Sequence, residues 1–394
     1  MPAHSSYDVV IVGGAMIGSA IAWWTARDPA FTGRILVVER DPTYAKAAST
    51  LSHSCIRQQF GSPINVLISR FGAEFIKDFP AWMDDPDAPV PRLQSFGYLY
   101  LADTEDFAAV LRDNAAMQNG LGAATRILTP AEIQARWPFM EVSGLVCGSH
   151  NPVDEGYFDG ATVFDWFRRK ARGMGVEYIH DEVVGLDIAQ GRVTHVRLAS
   201  GARVAAGQVV NAAGTRSPQV AAMAGLSLPV EPRKRLSILF AAESLGQDLP
   251  LVIEPNGVFM RSDGAYYLSG FTPDPDPAAD PDDFTMSEDA WEDLVWPTIA
   301  ARIPVFERLR VIRTWVGQYD YQTLDQNAVL GPHPDVPNLL TAAGFSGHGF
   351  QQAPAVGRGL AEWIVHGRYL TLDLSPLGWA RVLRGERLPE RAII

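Results

Sequence analysis

Cysteine is almost absent from this chain. Cys55 and Cys147 are the two in 394 residues, and neither sits in a CxxC or mixed Cys/His spacing. That pattern excludes a disulfide framework and a structural zinc site, and it makes a reducing compartment, the cytoplasm, the expected location. Positive charge is also scarce: Lys and Arg total 33 against 45 Asp and Glu, a net charge of −12. Such a balance argues against nucleic acid or an anionic membrane as the main partner. No apolar run reaches the roughly 18 residues that a membrane-crossing helix needs, and the amino-terminal residues enter a strand pattern too soon to hold a signal peptide. Basic residues gather in PRKR, 232–235, read here as support for a cofactor or a turn.

What is present begins at Asp8–Gly18, DVVIVGGAMIG, an apolar strand running into a glycine turn and then an Ala-rich helical stretch to about Arg27. A second strand, RILVVERD, closes on Glu39, about 20 residues beyond the turn, where dinucleotide-binding βαβ units place a ribose-binding carboxylate. Gly13 permits the sharp turn, the small Ala15 lets backbone approach a pyrophosphate if its φ stays negative, and Gly18 permits close packing of helix on strand. A glycine turn alone occurs without any nucleotide; strand, helix and Glu39 in one register point to one.

After Glu39 comes a polar loop, DPTYAKAASTLSHSCIRQQFG, too long for a simple connector, then a helical pattern, PINVLISRFGAEFIKDFPAWM. A strand at SFGYLYLA, a helix at 105–120 and an N-capped helix at TPAEIQARW follow. A helix with Asp159 at its start leads into strands joined by glycine turns, ending in QVVNAAG. Residues 236–271 read as strand-rich, DPDPAADPDD as an acidic surface loop, and Ser287–Ile303 as helical. The last section holds a strand NLLTAAG, the turn FSGHGFQQ and a helix.

The segments VVIVGGAMIG, VVER, VVNAAG and GFSGHGFQQAP, in that order, resemble the FAD-dependent oxidoreductases of the D-amino acid oxidase superfamily over nearly the whole chain. Within it, IRQQF and GQYDYQTLDQN followed by GPHP look most like a mitochondrial branch linked to respiratory complex I assembly and its bacterial relatives, with looser similarity to sarcosine and glycine oxidases. The resemblance implies an α/β fold with a non-contiguous FAD domain of the glutathione-reductase type (1–80, 159–225 and 331–394). A mixed-sheet substrate domain (81–158 and 226–330) would lie over the flavin. It places the FAD phosphates and ribose on Gly13, Gly14, Ala15, Met16, Ile17, Gly18, Glu39 and Arg40. Ser49, Thr50 and Ser52 would approach the pyrophosphate or flavin, and Val183 the adenine. Ala212, Ala213 and Gly214 would form a second phosphate-side turn. Gly344, Phe345, Ser346, Gly347, His348, Gly349, Phe350 and Gln351 would border the isoalloxazine, where backbone N–H groups stabilise an anionic reduced ring.

The resemblance also implies oxidation of the C–N bond of an amino acid or secondary amine to an imine, with oxygen or another acceptor taking the electrons. Arg57, in CIRQQFG, matches a carboxylate-binding Arg of sarcosine oxidase, and its planar fork suits bidentate capture; pairing with a local carboxylate is the alternative. Arg261 and Arg313 are further candidates. His348, Tyr319, Asp320 and Tyr321 could orient the amine or its proton, although hydride transfer from a neutral amine needs no protein base. The strand AYYLSG offers Tyr266 and Tyr267 where sarcosine oxidase carries an oxygen-activating Lys, and Gln351 replaces the Lys that follows GHGF. Neither cysteine stands where a flavin is tethered, and His53 differs in register from flavinylated histidines, so non-covalent FAD is expected; Cys55 reads as a buried small residue. Two other readings remain: a flavoprotein with a mainly binding or assembly role, and the same fold oxidising a hydroxy acid or a glycerol phosphate.

Overall fold

In the computed structural model, which describes residues 1–388 and 390, two eight-stranded sheets share the chain. The last residues of the expected segment 331–394 thus lie outside the described ones. The first sheet runs in the order Val329–His333, Val336–Ala343, Arg203–Asn211, Ser6–Val12, Ile35–Glu39, Glu177–His180. Its strands are parallel except for the edge Val329–His333. Arg192–Leu198 and Val183–Ala189 extend it as an antiparallel ribbon off Arg203–Asn211. The helix Met16–Arg27 makes the crossover between Ser6–Val12 and its parallel neighbour Ile35–Glu39, the connection such strands require.

Alternation along Ser6–Val12 explains the layers. Val9 and Ile11 point into a core shared with the helices, where Trp23, Phe75 and Phe167 pack, while Val10 and Val12 point into a second core with Val193, Val196 and Val204. A Cβ on Gly72 would lie 2.8 Å from the Gln351 carbonyl oxygen, so Pro63–Lys77 approaches the last long helix, Gly349–His366, closely.

The second sheet runs Leu309–Gln322, Val230–Ala242, Tyr266–Phe271, Val258–Asp263, Leu251–Ile253, Tyr98–Ala102, Cys147–Asn151, Arg126–Leu128. One face buries Leu236, Ile238, Phe240, Val252 and Met260 against Trp137, Ile299 and Phe306. The other face, carrying Arg235, Ser237, Tyr98 and Phe259, looks onto a cavity. The chain enters each sheet repeatedly, so neither is built from one continuous segment. The helix expected over 287–303 is a wide π-type turn, Trp291–Val295, continuing as Trp296–Arg302. Among the described residues no helix is long and apolar enough to cross a membrane, and no three His, Cys, Asp or Glu side chains gather to hold a metal.

Candidate active site

Residues of both sheets line a cavity of about 630 Å³. One end is built from backbone. Gly13 turns with φ +97°, and a Cβ there would strike the Ala212 carbonyl oxygen; a Cβ on Gly18 would strike the carbonyl oxygen of Gly13. Ala15 keeps φ −72°, so its methyl is carried without strain. The helix that follows has no side-chain cap from Ala15, and its Met16 N–H is taken by Ser49 Oγ at 3.2 Å. The Glu39 carboxylate accepts the Gly14 N–H and the Asp41 N–H, each at 2.8 Å. Burial raises its pKa above the usual carboxylate range, against the pull of those two bonds.

Ile17, Arg40, Ser52, Val183, Ala212, Ala213 and Gly214 join Gly13, Ala15, Met16, Glu39 and Ser49 on this wall. Gly14 and Gly18 stand behind it, one holding Glu39 and the other seating the helix. Thr50 is exposed and off the wall, its N–H given to the Ala47 carbonyl.

The other end is built from side chains. Arg57 is 1 % exposed yet reaches the cavity wall. Its Nη1 donates to the Gln59 carbonyl at 2.7 Å and to the Tyr100 hydroxyl, and its Nη2 donates to His348 Nε2 at 2.9 Å. Its backbone N–H donates to Gln351 Oε1 at 2.8 Å, and its guanidinium lies 4.2 Å above the Phe60 ring. Because guanidinium offers donors only, His348 must accept through Nε2 and carry its proton on Nδ1. Burial, and then the Arg57 charge, hold the His348 pKa well below its ordinary value. The imidazole is thus neutral, with its basic nitrogen turned to Arg57.

Phe345–Gln351 line the cavity. His348 precedes the 18-residue helix Gly349–His366 without capping it by side chain, so the positive helix end faces the same space. Gly344 lies off the wall: its N–H goes to Asp320 Oδ2 at 2.7 Å. Burial raises the Asp320 carboxyl to about 6. Tyr319 faces the cavity between Gly347, whose Cβ would meet its ring, and Arg235, 4.9 Å over that ring.

Tyr267 stands elsewhere. It pairs across the sheet with Phe240, stacks on it and packs on Phe306, and bonds the Leu245 N–H through its hydroxyl. Strand alternation puts it on the core face, opposite the cavity, which corrects its place among the candidates for chemistry. Arg261 is held by Asp263 and by the His53 carbonyl, and Arg313 is exposed over Trp315; neither lines the cavity. Cys55, read as a buried small residue, is on the cavity wall. His53 donates to or accepts from Ser237 Oγ at 2.7 Å, and burial lowers its pKa to about 3.

Two features of the wall escape a sequence reading. The alternation in RLSILF, 235–240, carries the signal for Arg235 and Ser237 on the cavity side. The acidic loop carries no such signal. It folds over the cavity, contributing Pro281, Asp282 and Phe284, and the PRKR residues hold it there. Asp276 grips Arg235 at 2.9 Å, Asp283 grips Lys234 at 2.8 Å, and Asp282 meets Arg216 and, at 3.9 Å, Arg40.

Residues 8–363 match the family model described as FAD dependent oxidoreductase, DAO. The chain belongs to this family. It is an oxidoreductase that uses FAD. It is 38 % identical over 427 residues to the Bos taurus FAD-dependent oxidoreductase domain-containing protein 1, covering 98 % of this chain and 87 % of that one. It is 24 % identical over 386 residues to the Homo sapiens mitochondrial sarcosine dehydrogenase, covering 93 % of this chain and 40 % of that one. The L-proline dehydrogenase of P. horikoshii superposes with a TM-score of 0.85 at 26 % identity, covering 98 % of this chain and 100 % of its own. The glycine oxidase of Geobacillus kaustophilus shares the fold, with a TM-score of 0.80 at 23 % identity over 95 % of this chain and 98 % of its own.

Proposed function

We propose that this oxidoreductase oxidises the C–N bond of a small amine bearing a carboxylate, an amino acid or an N-substituted glycine, to an imine that water hydrolyses. The observation that carries this reading is Arg57, a buried guanidinium on the wall of the cavity. A desolvated, pre-oriented fork of donors binds a carboxylate far more strongly than one in water does. Relatives and structural neighbours named for sarcosine, L-proline and glycine support the substrate class.

In this reading the backbone-built end holds the ADP half of FAD. Gly13, Ala15, Met16 and Ile17 present the turn and helix end to the pyrophosphate, Glu39 with Arg40 the ribose site, and Val183 the adenine site. Ser49, Ser52 and Ala212–Gly214 close around the phosphates. Phe345–Gln351 border the isoalloxazine. FAD, when bound, supplies the hydride acceptor. The chain's own part is positional: Arg57 fixes the carboxylate, Leu251, Phe259 and Tyr98 exclude water, and Tyr319 closes the side. His348 keeps its Nδ1 proton and spends Nε2 on Arg57, so it orients the guanidinium rather than taking a proton from the amine. The first-sheet segments 1–80, 159–225 and 331–394 make the cofactor domain, and 81–158 with 226–330 the substrate domain. FAD is held non-covalently, oxygen or another acceptor takes the electrons, and the protein works in the cytoplasm, which cell fractionation tests.

Anaerobic addition of sarcosine, other N-substituted glycines, D-amino acids, proline, hydroxy acids or glycerol 3-phosphate to the yellow protein tests the function. Bleaching by a carboxylated amine is the expected result, and admission of oxygen then reports the acceptor. Bleaching by a hydroxy acid or glycerol phosphate alone would replace the donor. A flavin that no compound bleaches would move the role to binding or assembly.

A further inference from the structure

Beneath Arg57 lies a carboxylate that the reaction as described does not use. Cys55 pairs with Tyr157 and Ile56 with Gly156 in a short antiparallel ladder; Arg57 follows its first strand and Glu155 precedes its second. Glu155 is fully buried. Its Oε1 accepts the Gln58 N–H at 2.6 Å, the Gln59 N–H at 3.1 Å and Asn151 Nδ2–H at 3.0 Å, and its Oε2 accepts Gln59 Nε2–H at 3.0 Å. The Gln59 side chain is fixed in turn, donating to the Tyr98 carbonyl at 3.1 Å and accepting from Ser149 Oγ at 2.7 Å. The Gln59 carbonyl, on the residue whose N–H Glu155 holds, receives Arg57 Nη1.

We infer that Glu155 is a positioning residue for Arg57: it clamps the backbone of Gln58 and Gln59 so that the Gln59 carbonyl presents the guanidinium to a substrate carboxylate at a fixed angle. This inference rests on the carboxylate-binding reading of Arg57. Among the described residues four donors converge on Glu155 and no acceptor does, so a protonated carboxyl would hold an O–H without a partner there and the ionised form fits the site. Burial works against that charge and raises the carboxyl to about 7, which is the cost of a rigid seat. An isosteric amide would turn an NH2 group against at least one of the four donors and release part of the clamp.

The experiment uses the FAD-loaded protein and the perturbation of the flavin absorption band by acetate, with acetamide as the uncharged control of the same shape. Glu155→Gln is expected to weaken acetate about tenfold, the loss of one charge-assisted bond, while acetamide binding and FAD content stay unchanged. Glu155→Asp, which restores the charge, is expected to recover part of the preference for acetate. A merely structural lesion would weaken both probes together, and that result, or unchanged acetate binding in Glu155→Gln, would overturn the inference. Where Glu155→Gln does not fold, Glu155→Asp and Gln59→Met, which removes one donor to Glu155, carry the same comparison. Arg57→Met separates the two levels: if it too leaves acetate untouched, the reading of Arg57 fails, whereas loss in Arg57→Met without loss in Glu155→Gln removes only the clamp.

Discussion

The two ends of the cavity are made of different material. At one end the shaping groups are backbone: the Gly13 turn, the Met16 helix start and the Ala212–Gly214 bend. At the other they are side chains from distant segments, Arg57, His348 and Tyr319, and the hydrogen bond between Arg57 and His348 spans a separation of 291 residues. A backbone cradle depends on glycine and φ, and it is lost whole when either is violated. A side-chain cluster is lost piece by piece.

Substitutions at each end can break that contrast. Gly13→Val is expected to have the largest effect. The φ of +97° costs a branched residue about 1–3 kcal/mol and the collision with the Ala212 carbonyl a similar amount. The outcome is protein without a flavin band and with a lowered urea midpoint; a yellow, stable variant would mean the cradle adapts. Arg57→Met is expected to raise KM for a carboxylated amine about 30-fold or more, as loss of a buried ionic partner costs about 2–5 kcal/mol. FAD content should hold, and steady-state kinetics beside the 450 nm band read both. Loss of FAD as well would show that the two ends are coupled.

Asp320 sits at the seam, its carboxylate binding the Gly344 N–H. Its folded pKa, about 6, lies above the ordinary 3.8. Between those values the folded chain keeps a proton that the unfolded chain has released, so stability falls as pH rises through the window and levels off above it. The fall is about 3 kcal/mol for this one group. Asp320→Asn should flatten that part of the profile, measured as the difference in urea midpoint between variant and parent from pH 4 to 7. Tyr267→Phe is expected to have the smallest effect: about 1 kcal/mol of stability from the lost bond to the Leu245 N–H, with turnover unchanged. A change in kcat would return Tyr267 to the cavity.

The same contrast governs what could be read in advance. The cradle was legible because Gly13, Ala15, Gly18 and Glu39 act through local geometry, and spacing alone encodes it. Local caps were legible too: Thr129 and Glu132 form the capping box that TPAE announces, and Asp159 caps its helix. Tyr267 was misplaced because AYYLSG offers aromatic residues on both faces of a strand, and only pairing with Phe240 decides which face is inside. The acidic loop read as surface because its charge is balanced by Arg235, Lys234, Arg216 and Arg40, partners that sequence order separates. Glu155 carries no local signal for a similar reason: its partners Gln58 and Gln59 stand 97 and 96 residues away in sequence.

Strand alternation in the second sheet has a further consequence, for descent with change. On Val230–Ala242 the cavity residues Arg235 and Ser237 interleave with the core residues Leu236, Ile238 and Phe240. A lineage can therefore exchange the cavity positions singly, trying new donors without disturbing the packing that keeps the protein folded. The backbone turn at the other end, where a Cβ on Gly13 or Gly18 would strike a carbonyl oxygen, offers no such freedom.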